Sequence, residues 1–466
     1  MYHPHRQQLH FIGIGGVGMA GIAEVLLNLG YAVSGSDLKQ SSFTDHLVRH
    51  GAEIYFGHRK ENLPVDSTVV VCSSAVSEDN PEVIEARRLQ IPVLPRAEML
   101  AELMRMKYGI GIAGAHGKTT TTTMVGHLLE VGGLDPTVIV GGRVLSRPSG
   151  TRLGLGDYLV AEADESDGSF TKLRPAIAVV TNIDQEHLSH YGTFGKLEEA
   201  FKHFCETVPF YGLIVGCIDD PVVRRILSEA TRRTLSYGFS PDAFFSAKNL
   251  EVVGRSTRFT LLVQNEEIGT YTLPMPGRHM VLNALASIAV GYEVGIEVRV
   301  LANALETFPG VARRSEVIAE SRGVTVIDDY GHHPTEIEAT LDGIKNSYLV
   351  ADALNSAKVG RLIVLFQPHR YSRTQELFSQ FLNCFKKADV LYVGEIYSAG
   401  EEPIASISGS ALVQAIVHPE VHFSSDLGDA LPEIISNLTA GDVVVTLGAG
   451  NVSQLSKKFA EAIKVG

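Results

Sequence analysis

The chain has 466 residues, 45% of them hydrophobic and 20% charged, which is enough apolar content for several packed cores and a length that suggests about three domains. Asp and Glu (53) outnumber Lys and Arg (40), and the formal charge of −13 leaves no basic arm or stripe for nucleic acid. No apolar run approaches the roughly 20 residues of a membrane span, and four scattered cysteines without zinc spacing (Cys72, Cys205, Cys217, Cys384) read as reduced thiols of a soluble, cytoplasmic protein.

The N-terminal run is too short and too broken by glycine for a signal peptide. Residues 9–12 read as a strand, and Gly13-Ile14-Gly15-Gly16-Val17-Gly18 follows at once. Residues 19–29 then have helical spacing, residues 31–34 read as a second strand, and Asp37 lies ~20 residues past Gly18. That is the Rossmann fingerprint: glycines let the backbone approach a pyrophosphate at a helix N-terminus, and the acid meets a ribose hydroxyl. Alone it suggests a nicotinamide-dependent oxidoreductase, but a nucleoside diphosphate conjugate carries the same groups. A glycine turn that binds nothing is the plain alternative. Strands at residues 68–72 and 91–94 follow, the first leading into Ser73-Ser74, hydroxyls placed either for a nucleotide sugar or simply for strand-end capping. A helix over residues 96–106 closes a first domain, 1–106.

The second domain, 107–310, opens on GIGIAGAHGKTTTTTM (residues 109–124). A buried strand, a turn Gly114-Ala115-His116-Gly117, then Lys118, Thr119 and Thr120 at a helix start make a phosphate cradle. Lys118 reaches the β- and γ-phosphates as a point charge, and the Thr119 hydroxyl suits Mg²⁺. The full G-x-x-x-x-G-K-[ST] spacing is missed, because Ile112 stands where its first glycine belongs. A strand over residues 158–163 ends in Glu162-Ala163-Asp164-Glu165-Ser166-Asp167, and a strand over residues 176–181 ends in Asn182-Ile183-Asp184-Gln185-Glu186-His187. Acids at a strand end beside a phosphate turn are where Mg²⁺ is usually held. Glu162, nearest the strand, is the sharpest candidate, with His187 on the same rim. Residues 244–273 alternate with turns at Gly254 and Gln264-Asn265, a small antiparallel sheet. Helices over residues 280–293, carrying Asn283, and 297–307 lead to the break at Phe308-Pro309-Gly310.

The third domain, 311–466, alternates strands at residues 324–328, 362–366, 390–393 and 443–447 with helices at 334–345, 374–387, 428–437 and 452–463, a further doubly wound sheet. Polar residues follow two strand ends, Asp328-Asp329-Tyr330-Gly331-His332-His333 and Gln367-Pro368-His369-Arg370-Tyr371-Ser372-Arg373. Arg370 and Arg373 can clamp a carboxylate or phosphate.

Seven ordered motifs, IGIGGVGMAGIAE, GAHGKTTTT, EADESDGSF, TNIDQEHLSHYG, PGRHMVLNALA, DDYGHHPTEI and QPHRYSRT, together resemble the Mur ligase family across the whole chain. The resemblance implies an α/β fold with three domains: an N-terminal Rossmann-like UDP-binding domain, a central P-loop ATP-binding domain carrying the small antiparallel sheet, and a C-terminal Rossmann-like domain. It implies a ligase of peptidoglycan precursor synthesis. In that reaction ATP phosphorylates the lactyl carboxylate of UDP-N-acetylmuramate and the amine of L-alanine displaces the phosphate. The GIGGVGM turn and the Tyr330–His333 run favour alanine over attachment of a whole peptide. By motif position, Gly13, Gly15, Gly16, Gly18, Asp37, Ser73 and Ser74 hold the UDP-sugar. Gly114 to Thr120 hold ATP, with Asn283 on the nucleotide, Arg314 on the γ-phosphate and Asp329 on the ribose. Thr119, Glu162 and His187 hold Mg²⁺. Tyr330, His332, Arg370 and Arg373 form the amino-acid pocket, with His332 a catalytic candidate for taking the amine proton. Met280 follows His279 where the family carries Asn. Lys202, near the place where related ligases bear a carbamylated lysine, sits beside Phe201 and Phe204 and fits a packed helix. Residues 347–359 read as an extra loop.

Overall fold

Short apolar runs alternate with amphipathic segments along the chain, and a chain so patterned buries the runs as parallel strands with helices on their faces. The computed structural model describes residues 7–73, 75–140, 151–350 and 360–465. It divides into two bodies: residues up to Ser246 with Asn283–Ala304, and Ala247–Leu282 with Leu305–Gly466. Among the described residues no helix is long and apolar enough to cross a membrane.

The first body holds a parallel sheet of β1 (Gln8–Ile12), β2 (Ala32–Asp37), β3 (Glu53–Phe56), β4 (Ser67–Cys72) and β5 (Val93–Pro95), in the order β3-β2-β1-β4-β5. Strand order reverses between β1 and β4, the place where such sheets open a ligand crevice. There the Ser73 N–H donates to the Ile12 carbonyl (3.1 Å), and the glycine turn after β1 starts beside it.

The same body holds β6 (Tyr108–Ala113), β7 (Thr137–Ile139), β8 (Thr151–Arg152), β9 (Tyr158–Glu162), β10 (Ile177–Val180), β11 (Leu213–Cys217), β12 (Arg233–Gly238) and the start of β13 (Phe245–Val253). β6 lies between β9 and β10, with Ile112 level with Glu162 and Ala113 level with Val180. The acidic run after β9 and the polar run after β10 therefore leave the sheet on either side of the phosphate turn. The helix behind the turn, Lys118–Val131, is fastened by Met124, Val125, Leu128 and Leu129, all fully buried.

In the second body β14 (Ser256–Val263) and β15 (Glu266–Leu273) pair antiparallel across Gln264-Asn265, both at positive φ as a two-residue hairpin turn requires. A second sheet joins β16 (Glu316–Ser321), β17 (Val324–Asp329), β18 (Leu362–Phe366), β19 (Val390–Val393), β20 (Val421–Phe423) and β21 (Val443–Leu447) in the order β16-β17-β21-β18-β19-β20. Among the described strands of this sheet only β16 is antiparallel; it is mostly half-buried, with Ala319 its one fully buried position, and carries only the short apolar run of residues 317–319. Asp329 and Phe366 both stand level with Leu447, so the loops after β17 and β18 leave from one edge. The helix expected over residues 374–387 is cut into Tyr371–Glu376 and Phe378–Phe381, because Leu377 leaves helical backbone (φ −105°, ψ 13°). The helix expected over residues 297–307 is α-helical over Val298–Ala304 and tightens to a 3₁₀ turn at Leu305–Thr307.

One buried network sits under the first turn. Glu82, fully buried, accepts from His10 Nε2 (2.8 Å), Ser36 Oγ (2.7 Å), Asn62 Nδ2 (3.0 Å) and the Arg59 N–H (3.1 Å). The Ser36 carbonyl in turn holds the Gly13 and Ile14 amides (2.8 and 3.1 Å). Burial opposes the Glu82 charge, but the hydrogen bonds from His10, Ser36 and Asn62 outweigh it and hold the carboxyl below its ordinary value of 4.5. Stability from this group is complete above pH 4.5 and is lost as the pH falls through the depressed folded value. Glu82→Ala, which orphans four donors, should cost roughly 3–5 kcal/mol in urea unfolding at pH 7. The difference from the parent should shrink below pH 4.5; a loss under 1 kcal/mol would remove the network from the account.

Candidate active site

The phosphate turn is built by close backbone approach. Gly114 (φ +135°) has no room for a side chain, since a Cβ there would lie 2.0 Å from Thr181 Oγ1. Gly117 (φ +83°) would place one 2.6 Å from Asn283 Oδ1, so Asn283 reaches the turn from the helix Arg278–Glu293. Lys118 Nζ donates to the Gly114 carbonyl (2.6 Å), the Ala115 carbonyl (3.1 Å) and Glu165 Oε1 (2.8 Å). Burial works against that ammonium, but Glu165, Asp164 and Glu186 outweigh it and hold Lys118 charged, above the ordinary lysine range. Burial also pushes the Glu165 carboxyl up. Ala115 and His116, expected to line the nucleotide, turn their amides to Asn182 instead, at 3.0 Å to its carbonyl and 2.9 Å to its Oδ1.

Glu165, Glu186 and His187 bring ligand atoms within 4.8 Å of one another. His187 Nε2 stands 3.9 Å from Glu165 Oε1 and 3.8 Å from Glu186 Oε2, on a backbone held at φ +57°. The sequence singled out Glu162 from the acidic run; the structure turns Glu165 to Lys118 and His187. Glu165 Oε2 is buried without a hydrogen-bond partner, and the set offers carboxylate oxygens and one imidazole. Oxygen-rich donors beside a phosphate turn suit Mg²⁺. Lys202 pairs with Glu229 (2.7 Å) and is 47% exposed, so it stands on the outer face of its helix.

At the first turn Asp37 accepts the Gly15 N–H (2.8 Å) and the Leu38 N–H (2.7 Å), which commits its carboxylate to bracing the turn. Gly13 packs on Ser73, a Cβ there reaching Ser73 Cβ at 3.1 Å; Ser74 lies outside the described residues. A cavity of about 440 Å³ joins Ser73 to Arg87, Arg96, Asp167 and Ser169. Arg96 had no sequence signal beyond opening a helix, yet its guanidinium lies against Gly18, where a Cβ would come 3.0 Å from Nη1. The N-terminus of the helix Val17–Asn28 and this cation favour an anion together.

In the second body the guanidinium carbons of Arg313 and Arg314 lie 4.8 and 5.3 Å from the centre of the Tyr330 ring. Arg314 Nη1 is 3.6 Å from Glu336 Oε1, and His332 donates its N–H to Glu336 Oε2 (3.2 Å). Asp329, implied for a ribose, is instead buried with its oxygens on the Ser315 and Gly331 amides (2.7 and 2.8 Å), a brace for the loops that carry Arg314 and Tyr330. Arg370 opens the helix Tyr371–Glu376 at φ +70° and is exposed. Arg373 Nη1 lies 3.3 Å from His369 Nδ1, and the His332 and His369 rings are 6.3 Å apart.

Comparison with known proteins fits this layout. Residues 8–108 match the Mur ligase family, catalytic domain, residues 112–291 the Mur ligase middle domain, and residues 313–450 the Mur ligase, glutamate ligase domain. The chain belongs to the Mur ligase family. It has that family's three-domain α/β architecture. Among Mur ligases it is 51% identical, over 97% of its length and 96% of the relative's, to the UDP-N-acetylmuramate–L-alanine ligase of Sorangium cellulosum. The solved UDP-N-acetylmuramate–alanine ligase of Thermotoga maritima superposes with a TM-score of 0.79 at 27% identity, over 98% of this chain and 99% of that one. The UDP-N-acetylmuramate:L-alanyl-gamma-D-glutamyl-meso-diaminopimelate ligase of Neisseria meningitides gives 0.59 at 28% identity, over 66% of this chain and 99% of its own.

His369 is a site neighbour with a measurable signature. Burial, then the charges of Arg373, His332 and Arg370, lower its pKa to about 4. Between pH 6.5 and about 4 the unfolded imidazole takes a proton that the folded one refuses, so this group lowers stability as the pH falls through that window. Imidazole NMR should give a midpoint near 4, and Arg373→Ala should move it upward. A midpoint near 6.5 in the parent would contradict the packing described.

Proposed function

We propose that this Mur ligase joins L-alanine to the lactyl carboxylate of UDP-N-acetylmuramate at the expense of ATP. The observation that carries the reading is Lys118: an ammonium kept charged in a glycine turn, flanked by two carboxylate-bearing strand ends, in a chain half identical to an alanine-adding ligase. We assign residues 1–106 to the UDP-sugar, 107–310 to ATP and 311–466 to completing the nucleotide and amino-acid sites.

The γ-phosphoryl group passes to a carboxylate oxygen, giving an acyl phosphate and ADP. The alanine nitrogen then attacks the acyl carbon, the nitrogen loses its proton, and the carbon–oxygen bond to phosphate breaks. Lys118 and the first amides of its helix receive charge that spreads over the phosphoryl oxygens, the step at which fixed donors lower a barrier most. Thr119, Glu162 and His187 would hold Mg²⁺, with Glu165 and Glu186 beside His187; a cation there neutralises phosphoryl charge. Arg314 serves the γ-phosphate. Arg370 and Arg373 take the alanine carboxylate, Tyr330 shapes the pocket, and His332 accepts the amine proton. The UDP-sugar lies along Gly13, Gly15, Gly16, Gly18 and Ser73, with Arg96 on its diphosphate. These substrates are cytoplasmic metabolites, and that is where we place the enzyme.

Phosphate release from ATP and Mg²⁺ should require both UDP-N-acetylmuramate and L-alanine. Release with a tripeptide but not alanine would move the chain to the peptide-adding branch. Lys118→Ala should cost ~10²-fold or more in turnover, and near-parental activity would remove the turn from the mechanism. Arg370→Ala should raise the alanine KM with little change in kcat; the reverse pattern would put Arg370 on the phosphoryl group.

A further inference from the structure

The segment after β10 grips the phosphate turn around His116. The Thr181 N–H donates to the Ala113 carbonyl (3.0 Å), carrying the pairing of β10 with β6 one residue further. Asn182 then bonds through both main chain and side chain: its main-chain carbonyl accepts the Ala115 N–H (3.0 Å), its carboxamide Oδ1 accepts the His116 N–H (2.9 Å), and its carboxamide Nδ2 donates to the His116 carbonyl (3.0 Å). Thr181 Oγ1 donates to that same carbonyl (2.6 Å). The His116 imidazole meets Asp184 Oδ2 at 3.0 Å. His116 is thus held at its N–H, its carbonyl and its side chain, all from one strand end. The absence of a Cβ at Gly114 lets the two segments touch.

We propose that Asn182, with Thr181 and Asp184, is a latch that sets the phosphate turn, and that Asn182 is a positioning residue for ATP. Holding residue 116 at both its N–H and its carbonyl fixes the two peptide units that flank it, 115–116 through the N–H and 116–117 through the carbonyl. Pinning residue 116 fixes the direction in which the next peptide enters the left-handed Gly117. The amides of Ala115 and His116 are thereby both taken up by Asn182. The cradle is left to the amides from Gly117 to Thr120, the open end of the helix, where no intrahelical partner exists. Asn182 serves this arrangement because a carboxamide donates and accepts at once. Asp in its place could only accept, and Ser would be too short to bridge residue 116. The latch acts on ATP through the turn and has no task at the UDP-sugar or the amino acid.

This inference rests on the ligase reading, so its test needs a readout outside the reaction. In steady-state kinetics Asn182→Ala should raise the ATP KM about ten- to thirty-fold, the scale of two lost hydrogen bonds. The KM values for UDP-N-acetylmuramate and L-alanine should stay within about two-fold, and kcat should change little. Thr181→Val, which keeps the shape and loses one donor, should shift the ATP KM about three-fold, and it carries the test if Asn182→Ala does not fold. In parallel, the rise in melting temperature that ADP gives the parent should be lost in Asn182→Ala and reduced in Thr181→Val. An unchanged ATP KM and an unchanged ADP shift in both variants would overturn the latch, as would an equal rise in all three KM values. A parent that releases no phosphate yet is stabilised by ADP would sink the ligase reading alone, and the ADP shift of the variants would still decide the latch.

Discussion

The chemistry proposed for this chain depends on keeping one ammonium charged at the end of a buried strand. Burial alone would neutralise Lys118; three carboxylates, Glu165, Asp164 and Glu186, prevent it. They come from the loops after β9 and β10, the two strands that flank β6, and they arrive because β6 pairs in parallel with both, its last residues level with theirs. Parallel pairing sends all three loops out of the same edge of the sheet, so an acid run, a glycine turn and a polar run meet without long-range design of any single loop. The buried β-branched residues of β6, β9 and β10 are in this sense part of the site, since a register slip on either side would move the carboxylates off the lysine.

The two other candidate strand-end sites follow the same logic with different side chains. At the switch point between β1 and β4, the glycine turn hangs from the Ser36 carbonyl, Ser36 is tied to buried Glu82, and Arg96 supplies positive charge from a helix one strand away. In the second body, the loops after β17 and β18 leave from opposite sides of β21 and carry Tyr330 and His332 on one, His369, Arg370 and Arg373 on the other. A buried carboxylate braces each frame: Glu82 in the first, Asp329 in the last.

Much of this was legible in the sequence because it is local. Strands at residues 362–366, 390–393 and 443–447 fall where the apolar runs put them, since parallel strands buried on both faces read as unbroken apolar stretches. The glycine turns are local too, a few residues at fixed spacing. What escaped is contact across the sheet. Nothing in EADESD distinguishes Glu165 from Glu162 until β9 is set beside β6. Asn182 reads as one more polar residue at a strand end until it is seen bonded to His116. Asp329, implied as a ribose contact, is drawn inward by the Gly331 amide two residues on and by the Ser315 amide, which lies outside the quoted motifs. β16 was missed because EVIAES, at a sheet edge, is mostly half-buried, with Ala319 alone fully buried, and so lacks the long apolar run of a central strand.

The central claim is that the turn from Gly114 to Thr119 receives the transferring phosphates. A crystal structure with a non-hydrolysable ATP analogue and Mg²⁺ tests it most directly. The account predicts the β- and γ-phosphates on the amides of Gly117 to Thr119 and within reach of Lys118 Nζ, with Asn182 still bridging His116. Phosphates bound elsewhere, with the Ala115 and His116 amides swung free of Asn182, would contradict it.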